Sequence, residues 1–327
     1  MKPVNIAIIG ATGMVGRQMI CSLEEQKIPV NQLFLFSSSR SEGALLSFNN
    51  QSYTVQKLTQ SIFDDYNITH ALFSAGSEVS LIYAPLAAKN NVIAIDNSSA
   101  FRMHEDIPLI VPEVNAHELT RRHHIIANPN CSTIQSVVAL KPIYNHYGIK
   151  RIIYTTYQAV SGSGLKGIND LKNQGDYQSQ PFYPKPIVGN VIPVIDTILE
   201  NGYTKEEEKM IYETKKILGD PNLKITATCV RVPVENGHSV SINVELAKAF
   251  QLSDIISLLK DAPGVKVFDR NEIPTPLDVT GQDLIYIGRI RRDESVEHGL
   301  NLWVLGDNLR KGAATNAVQI LKKLLEV

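Results

Sequence analysis

Cys131 lies in the segment Asn128–Thr133, between an apolar run and a helical pattern that predicts a helix over Ile134–Tyr147. The N-terminus of a helix carries partial positive charge, which stabilises a thiolate and lowers the pKa of a thiol there. A cysteine in a globular chain is more often a small buried apolar residue, and we interpret Cys21 and Cys229 in that way. The surroundings of Cys131, a polar segment between a strand and a helix, favour a nucleophile.

A glycine-rich segment precedes the first predicted helix. Gly10, Gly13 and Gly16 follow an apolar, strand-like run and open a helical pattern. Gly10 permits a tight turn, Gly13 lets backbone N–H groups approach a pyrophosphate, and Gly16 permits close helix–strand packing. A tight turn without a ligand has the same spacing, but the position after the first strand favours a dinucleotide site. From this turn we expect cofactor contacts at Gly10, Thr12, Gly13, Met14 and Val15.

The end of the second predicted strand indicates which dinucleotide binds. An NAD site usually has an acidic residue here for the ribose 2′-hydroxyl, whereas this chain reads Ser37-Ser38-Ser39-Arg40, with Glu42 two residues beyond. Hydroxyl groups and a cation suit the 2′-phosphate of NADP, and a solvated surface role for Arg40 is the alternative. We therefore predict NADP as the cofactor. The further contacts are expected from Ser37, Ser38, Arg40, Ala75 and Gly76.

A doubly wound α/β framework is needed to position these residues. Short apolar runs alternate with helical patterns in the first third of the chain, which predicts a Rossmann-type parallel sheet covered on both faces. The predicted buried strands are Asn5–Gly10, Gln32–Ser37, His70–Ala75, Val92–Asp96 and His124–Ala127.

After about residue 133 the strand-like segments become longer and more alternating, which predicts an α+β region with a mixed or antiparallel sheet. We expect a functional or interfacial loop over Ser161–Pro186, a helix over Leu252–Asp261 and a final helix over Gly312–Leu325 that returns to the first domain. The predicted strands are Arg151–Val160, Leu223–Val234, Ser239–Leu246, Ile285–Arg292 and Leu300–Leu305.

The composition excludes several classes of function. The 327 residues are 43% hydrophobic, and 32 basic against 33 acidic residues give a formal net charge of -1. No overall field therefore attracts nucleic acid or an anionic membrane, and no apolar run approaches the roughly 20 residues that span a bilayer. Three widely spaced cysteines without a CxxC pair predict neither a disulfide framework nor a zinc site. We expect a cytoplasmic protein with a small-molecule substrate, no metal, and no nucleic-acid or membrane partner.

Nine separated motifs, taken in order, resemble the aspartate-β-semialdehyde dehydrogenase family of the bacterial type over the full length of the chain. They are GATGMVG (10–16), SSSRSEG (37–43), DNSSAFR (96–102), NPNCSTIQ (128–135), YQAVSGSG (157–164), NVIPVI (190–195), EEEKMIYETKKIL (206–218), TCVRVPVENGHS (228–239) and GDNLRKGAATNAVQ (306–319).

This resemblance implies reversible, NADPH-dependent reductive dephosphorylation of β-aspartyl phosphate to aspartate semialdehyde through a thioester on Cys131. It also implies a homodimer formed through the sheets of the middle domain. We accordingly expect an NADP-binding domain over residues 1–133, completed by 309–327, and a substrate-binding and dimerisation domain over 134–308.

The resemblance also implies roles for polar residues. His238 matches the acid/base residue, and its ordinary pKa suits proton transfer near neutral pH. Arg231 matches the residue that binds the substrate carboxylate, because a planar guanidinium offers two parallel hydrogen bonds. Arg102 matches the main phosphate-binding arginine. Asn130 and Gln158 match residues that position the acyl group, and their amide N–H groups would also stabilise an oxyanion.

Further matches lie on a predicted helix and near the nicotinamide. Glu206 matches the carboxylate that receives the substrate α-ammonium, and Lys209, on the same helical face, matches a phosphate-binding lysine. The register stays open because residues 206–208 are all glutamate, and a solvated charged face is the alternative. The expected cofactor contacts near the nicotinamide are Ser161, Gly162 and Asn308.

Two alternatives remain. N-acetyl-γ-glutamyl-phosphate reductase uses the same thioester chemistry, but commonly reads Gly-Cys-Tyr-Pro around its cysteine and needs no carboxylate such as Glu206. A non-catalytic NADPH-binding module is the alternative of another class, and the presence of Cys131, Arg231 and His238 argues against it.

Overall fold

The structure, a computed structural model, describes residues 2–120, 122–173 and 182–326. They form two units, Met1–Asn130 with Ala313–Val327, and Cys131–Gly312. The strands are β1 Val4–Ile9, β2 Val30–Ser37, β3 Leu45–Phe48, β4 Gln51–Thr54, β5 Gln56–Lys57, β6 His70–Phe73, β7 Ile93–Asp96, β8 Ile125–Ala127, β9 Ile149–Gln158, β10 Lys224–Arg231, β11 His238–Leu246, β12 Val265–Val267, β13 Ile285–Asp293 and β14 Gly299–Gly306.

The helices alternate with strands in the first unit and cluster between strands in the second. They are α1 Met14–Glu25, α2 Ile62–Asp65, α3 Ser77–Lys89, α4 Pro112–Asn115, α5 Cys131–Tyr147, α6 Gly164–Lys172, α7 Lys205–Leu218, α8 Leu252–Lys260, α9 Pro276–Val279 and α10 Thr315–Glu326. Within the described ranges, no helix is long and apolar enough to cross a membrane.

The first unit contains a parallel sheet with the strand order β5-β2-β1-β6-β7-β8. Successive residues of β1 face opposite sides, as the pleat requires. Ile6 and Ile8 pack in one apolar cluster with residues of α1 and α10, and Ala7 and Ile9 pack in a second cluster with residues of α3. The sheet is therefore covered on both faces, which confirms the Rossmann-type prediction.

The second unit contains a mixed sheet with the strand order β10-β9-β11-β14-β13-β12. The β9–β10 and β12–β13 pairs are parallel and the others are antiparallel, which confirms the predicted α+β region. Helix α5 packs on β11 and β14 and has α7 and α8 beside it. On β9 and β14, the rings of Tyr157 and Trp303 lie 5.4 Å apart, and Tyr157 is 38% exposed. Part of this sheet therefore presents aromatic side chains to solvent.

Part of the predicted loop Ser161–Pro186 is helical, so that prediction was wrong for Gly164–Lys172. The glycine- and asparagine-rich composition of the predicted loop disfavours a helix, but packing against neighbouring residues decides the conformation of Gly164–Lys172. A Cβ at Gly167 would lie 2.5 Å from the Val160 carbonyl oxygen and 2.6 Å from the Tyr183 hydroxyl. The glycine thus permits the helix to pack closely on its neighbours. Residues 174–181 of the predicted loop lie outside the described residues.

The expectation that Cys21 is a buried apolar residue was also wrong, because the side chain is exposed. It lies on α1, whose buried residues include Met19, Ile20 and Leu23. Helical periodicity places Cys21 on the opposite, solvent-facing side of that helix. Cys229 is fully buried on β10, which confirms the same expectation for that residue.

Helix α7 begins with a capping box. The Thr204 hydroxyl accepts a hydrogen bond from the Glu207 N–H, and the Glu207 carboxylate accepts one from the Thr204 N–H at 2.7 Å. The other carboxylate oxygen of Glu207 accepts from the Cys229 N–H at 2.9 Å, on the edge strand β10. One buried carboxylate therefore satisfies a helix start and a strand edge together.

We predict that Glu207→Ala lowers the free energy of unfolding by about 2–4 kcal/mol, because two buried backbone donors lose their acceptor. The neighbouring variant Glu208→Ala is the matched control and should cost less than about 1 kcal/mol. Urea unfolding followed by circular dichroism measures both values. Equal destabilisation by the two substitutions would contradict the assignment.

Candidate active site

The turn between β1 and α1 has the geometry of a phosphate-binding turn. Gly10 has a φ of 88°, and a Cβ there would lie 2.9 Å from the Ser74 carbonyl carbon. A Cβ at Gly16 would lie 2.2 Å from the Gly10 carbonyl oxygen, so α1 packs directly on the turn. Gly13 is the N-cap of α1, and no side chain caps this end of the helix. The first N–H groups of the helix, from Met14 and Val15 onward, thus remain available to an anion.

The carboxyl end of β6 adjoins this turn, because β6 pairs with β1 in parallel. Ala75 and Gly76 follow β6, and Gly76, with a φ of 88°, is the N-cap of α3. A Cβ at Gly76 would have no atom within 4 Å. Strand order reverses between β1 and β6, and dinucleotides bind at such a reversal in open α/β sheets.

Hydroxyl groups cluster at the end of β2. Thr12 Oγ1 lies 2.9 Å from Ser37 Oγ and 3.2 Å from Ser41 Oγ. Ser38 and Arg40 are exposed at the short turn that follows, Ser39–Ser41. The donors here are therefore hydroxyls and a guanidinium, a combination that suits a phosphate ester.

The guanidinium of Arg102 is buried and held by backbone oxygens of its own unit. Its Nε donates to the Asn128 carbonyl at 2.9 Å, and an Nη donates to the Asn97 carbonyl at 2.8 Å. The side chains of Asn97 and Asn128 are hydrogen-bonded to each other, and Asn316 donates to the Asn128 amide oxygen at 2.7 Å. This network fixes the segment that leads to the buried Asn130.

Cys131 is the first residue of α5, so the helix begins three residues earlier than predicted. Cys131 is partly exposed, and it lies at the N-terminus of a helix of 17 residues, where the partial positive charge of the helix is located. A Cβ at position 312 would lie 2.9 Å from the Cys131 Cβ, so there is no room for a side chain at Gly312 beside Cys131.

His238 is fully buried at the start of β11. The Ala159 N–H donates to His238 Nδ1 at 3.1 Å, and His238 Nε2 is buried without a hydrogen-bond partner among the described residues. A neutral imidazole that accepts at Nδ1 carries its proton on Nε2. Burial, and secondarily the charge of Arg231, hold the pKa of His238 well below its usual value of 6.5.

Arg231 lies close to the same imidazole. Its Nη1 donates to the Ala159 carbonyl at 2.6 Å, and the guanidinium carbon lies 5.9 Å from the ring centroid of Tyr183. A Cβ at Gly162 would lie 3.0 Å from Arg231 Nη1 and 3.1 Å from His238 Nε2. The structure therefore brings Gly162, Arg231 and His238 together, and the missing Cβ leaves room at both polar groups.

Gln158, Glu206 and Lys209 form a hydrogen-bonded chain. The Gln158 amide donates to Glu206 Oε1 at 3.1 Å, and Lys209 Nζ donates to Glu206 Oε2 at 3.2 Å. The same Gln158 amide nitrogen donates to Thr156 at 3.3 Å, so both of its N–H bonds are engaged. As it stands, this amide orients Glu206, and its N–H groups are not available to an oxyanion.

The structure separates the three adjacent glutamates. Glu207 is occupied by the capping box, and Glu208 accepts from the side chain of Asn201 at 3.0 Å. Of the three glutamates, Glu206 is the one that accepts hydrogen bonds from Gln158 and Lys209. The Thr-x-x-Glu spacing of Thr204 and Glu207 is a capping-box signature. This signal in the sequence could have distinguished Glu207 from Glu206.

Ser161 and Asn308 are buried and support the loop before His238. The Asn308 amide donates to Ser161 Oγ at 2.9 Å, and its oxygen accepts from the Gly237 N–H at 3.0 Å. Ser161 also donates to Asn236 at 3.0 Å. In the structure these two residues therefore fix the peptide that precedes the imidazole.

Three residues at the site were not anticipated from the sequence. Gln135, one turn after Cys131, donates to the His238 carbonyl at 3.3 Å. Tyr183 lies beside Arg231, as described above, and Asp196 forms an ion pair with Lys209 at 2.9 Å. Gln135 lies within the motif 128–135, but the sequence assigned it no role. The positions of all three residues at the site depend on contacts between distant segments.

Comparisons with known proteins agree with this geometry. Residues 5–122 match the family model "Semialdehyde dehydrogenase, NAD binding domain", and residues 140–311 match "Semialdehyde dehydrogenase, dimerisation domain". The chain is 51% identical to the aspartate-semialdehyde dehydrogenase of Aquifex aeolicus (strain VF5) over 98% of each chain. It is 46% identical to that of Bacillus subtilis (strain 168), over 99% of this chain and 98% of the relative.

A solved structure is also similar over nearly the whole chain. The crystal structure of aspartate semialdehyde dehydrogenase II from Vibrio cholerae, complexed with ASA, has a TM-score of 0.95 and 45% identity, and it covers 100% of this chain and 99% of the other. These similarities confirm the family that the separated motifs predict. The chain belongs to the aspartate-semialdehyde dehydrogenase family.

Proposed function

We propose that the chain catalyses the reversible NADPH-dependent conversion of L-4-aspartyl phosphate to L-aspartate 4-semialdehyde and phosphate. The observation that carries this proposal is the meeting of Arg231 and His238 at Gly162, in the same unit as Cys131. A carboxylate-binding cation, a proton-transfer group and a nucleophile are the groups that the reaction needs. The ASA complex of the Vibrio cholerae relative supports this choice of substrate.

NADP fits the first unit. The uncapped N-terminus of α1 suits the pyrophosphate, and the hydroxyls of Thr12 and Ser37 with Arg40 suit the 2′-phosphate. Bound NADPH supplies the hydride that the reduction requires. We accordingly assign residues 1–133 with 309–327 to cofactor binding, including the contacts proposed at Ala75 and Gly76, and residues 134–308 to substrate binding. We also propose cofactor contacts at Ser161, Gly162 and Asn308.

Cys131 is the proposed nucleophile. Its thiolate attacks the acyl carbon of aspartyl phosphate, the bond to the phosphate oxygen breaks, and phosphate leaves with the electron pair. After reduction, the thiohemiacetal collapses by expelling the thiolate as the carbonyl forms. The helix N-terminus stabilises the anionic sulfur before attack and after expulsion.

His238 acts through Nε2, since Nδ1 is held by the Ala159 N–H. The N–H at Nε2 donates a hydrogen bond to the oxygen on which negative charge develops as the thioester is reduced, and it stabilises the tetrahedral anion until the thiolate is expelled. Because the pKa of the free protein's imidazole is low, the ring enters the cycle in its neutral form.

The remaining polar residues select and orient the substrate. Arg231 binds the α-carboxylate, and Glu206, oriented by Gln158, receives the α-ammonium. Lys209 and Arg102 bind the phosphate, and Asn130 orients the acyl group beside the cysteine. A free ammonium requires the carboxylate of Glu206, which favours aspartyl phosphate over an N-acetylated acyl phosphate.

We also infer a cytoplasmic homodimer. The exposed ring of Tyr157, packed against the partly buried Trp303 on the sheet of the second unit, supports an interface there. The family model that matches residues 140–311 is described as a dimerisation domain, which supports dimerisation through this part of the chain. The reaction leads to the amino acids derived from aspartate, namely lysine, threonine, methionine and isoleucine, and to diaminopimelate.

We predict that the purified chain, given aspartate semialdehyde, phosphate and NADP, produces NADPH, and that Cys131→Ala abolishes this turnover while NADPH binding is retained. Absorbance at the NADPH band measures turnover, and fluorescence titration measures binding. The matched control is Cys229→Ala, a buried cysteine outside the mechanism. Folded protein without turnover would overturn the proposed function, and turnover by Cys131→Ala would overturn the thioester.

We predict that Arg231→Lys raises KM for the semialdehyde about 10- to 100-fold, although the positive charge is kept, because lysine lacks the paired N–H geometry. Steady-state kinetics with varied semialdehyde measure the effect. Arg270→Lys, at an exposed arginine, is the control and should leave KM unchanged. A near-normal KM for Arg231→Lys would refute the carboxylate-binding role.

We predict that His238→Ala lowers kcat about 10²- to 10⁴-fold, and that His238→Gln retains more activity because its amide keeps an N–H donor near the position of Nε2. The lowered pKa keeps the imidazole of the free protein neutral as the pH falls through 6.5. The pH profile of kcat/KM should therefore have no inflection near 6.5 from this residue. An inflection there that disappears in His238→Gln would contradict the buried, neutral state.

A further inference from the structure

The ammonium of Lys209 lies between two carboxylates. Nζ is 2.9 Å from Asp196 Oδ2 and 3.2 Å from Glu206 Oε2. Burial pulls the pKa of Lys209 down, but Glu206 and Asp196 outweigh that effect and hold the pKa above its usual value. An ammonium has three N–H donors, so these two carboxylates leave one for an anion.

Asp196 is held in a defined orientation. Its backbone has a φ of 69°, in the left-handed region, and its Oδ1 accepts from the Thr197 N–H at 2.8 Å. Oδ2 is thereby left for Lys209. Exposed ion pairs usually contribute little because both side chains must be ordered. Here the local turn has already ordered one carboxylate, and the side chain of Lys209 is only 25% exposed.

The segment that carries Asp196 is attached to the strand that carries Arg231. The Ile192 N–H donates to the Arg231 carbonyl at 2.9 Å, and the Arg231 N–H donates to the Ile192 carbonyl at 2.8 Å. Asp196 follows Ile192 with three residues between them. This short segment therefore connects the backbone of Arg231 with the side chain of Lys209, which Asp196 binds.

We propose that Asp196 is a positioning residue that fixes the ammonium of Lys209 for the phosphate of the substrate. This inference rests on the proposed function, in which Lys209 binds phosphate. Asp196 does not touch the substrate. Glu206 accepts from Gln158 with one oxygen and from Lys209 with the other. Because Asp196 binds the ammonium from a second direction, Lys209 is not held by Glu206 alone.

The test is a double-mutant cycle in the direction of semialdehyde oxidation. We expect Asp196→Ala to raise KM for inorganic phosphate about tenfold, a change of ~1.4 kcal/mol, with KM for the semialdehyde changed less than about twofold. Asp196→Asn keeps an acceptor oxygen and should recover most of the phosphate KM. In a Lys209→Met background, Asp196→Ala should have no further effect, because the group through which it acts is absent.

Asp254→Ala, at an exposed acid on α8, is the matched control and should leave both KM values unchanged. The thermal unfolding midpoint is measured for each variant. An unchanged phosphate KM in Asp196→Ala would overturn the inference. So would an equal rise in the Lys209→Met background, or a parallel rise in both KM values with a lowered midpoint. Absence of turnover in the unsubstituted chain would instead overturn the proposed function itself.

Discussion

The peptide groups of Ala159 hold the two polar side chains on which the rest of the site depends. Its N–H donates to the imidazole of His238, and its carbonyl accepts from the guanidinium of Arg231. One backbone position therefore sets the tautomer of the imidazole and the distance between the two groups. The sheet of the second unit makes this possible, because β9 lies between β10, which ends at Arg231, and β11, which begins at His238. A side-chain anchor would be lost by one substitution, whereas a backbone anchor survives most of them.

The elements that carry these residues could be predicted because their signals are local. Apolar runs and alternation placed the longer strands of both sheets to within a few residues, whereas the short edge strands β5 and β12 were not predicted. The helix after the polar segment 128–133 was predicted as well, although it begins at Cys131 and not at Ile134. The order of the strands is not a local property. The meeting of Arg231, His238 and Gly162 depends on which strands are neighbours, so the seven-residue spacing of Arg231 and His238 could suggest it but could not establish it.

Besides the burial of Cys21, two predictions failed or stayed open, and the physical reasons differ. The helix Gly164–Lys172 has residues of low helical propensity, and close packing at Gly167 outweighs that propensity. The run of glutamates at 206–208 is ambiguous because identical side chains carry no register information. The capping partner Thr204 identifies Glu207 as the structural carboxylate and so distinguishes it from Glu206, which lies beside Gln158.

Gly312 bears on how the sequence can vary. The space beside the Cys131 Cβ does not admit another carbon atom, and every other amino acid carries one. No exchange at position 312 is conservative in this setting, since even alanine would displace the first turn of α5 and the sulfur with it. The position of the Cys131 thiol thus depends on a neighbouring residue that has no reactive group of its own. The effect of a substitution at 312 therefore measures how precisely that thiol must be placed.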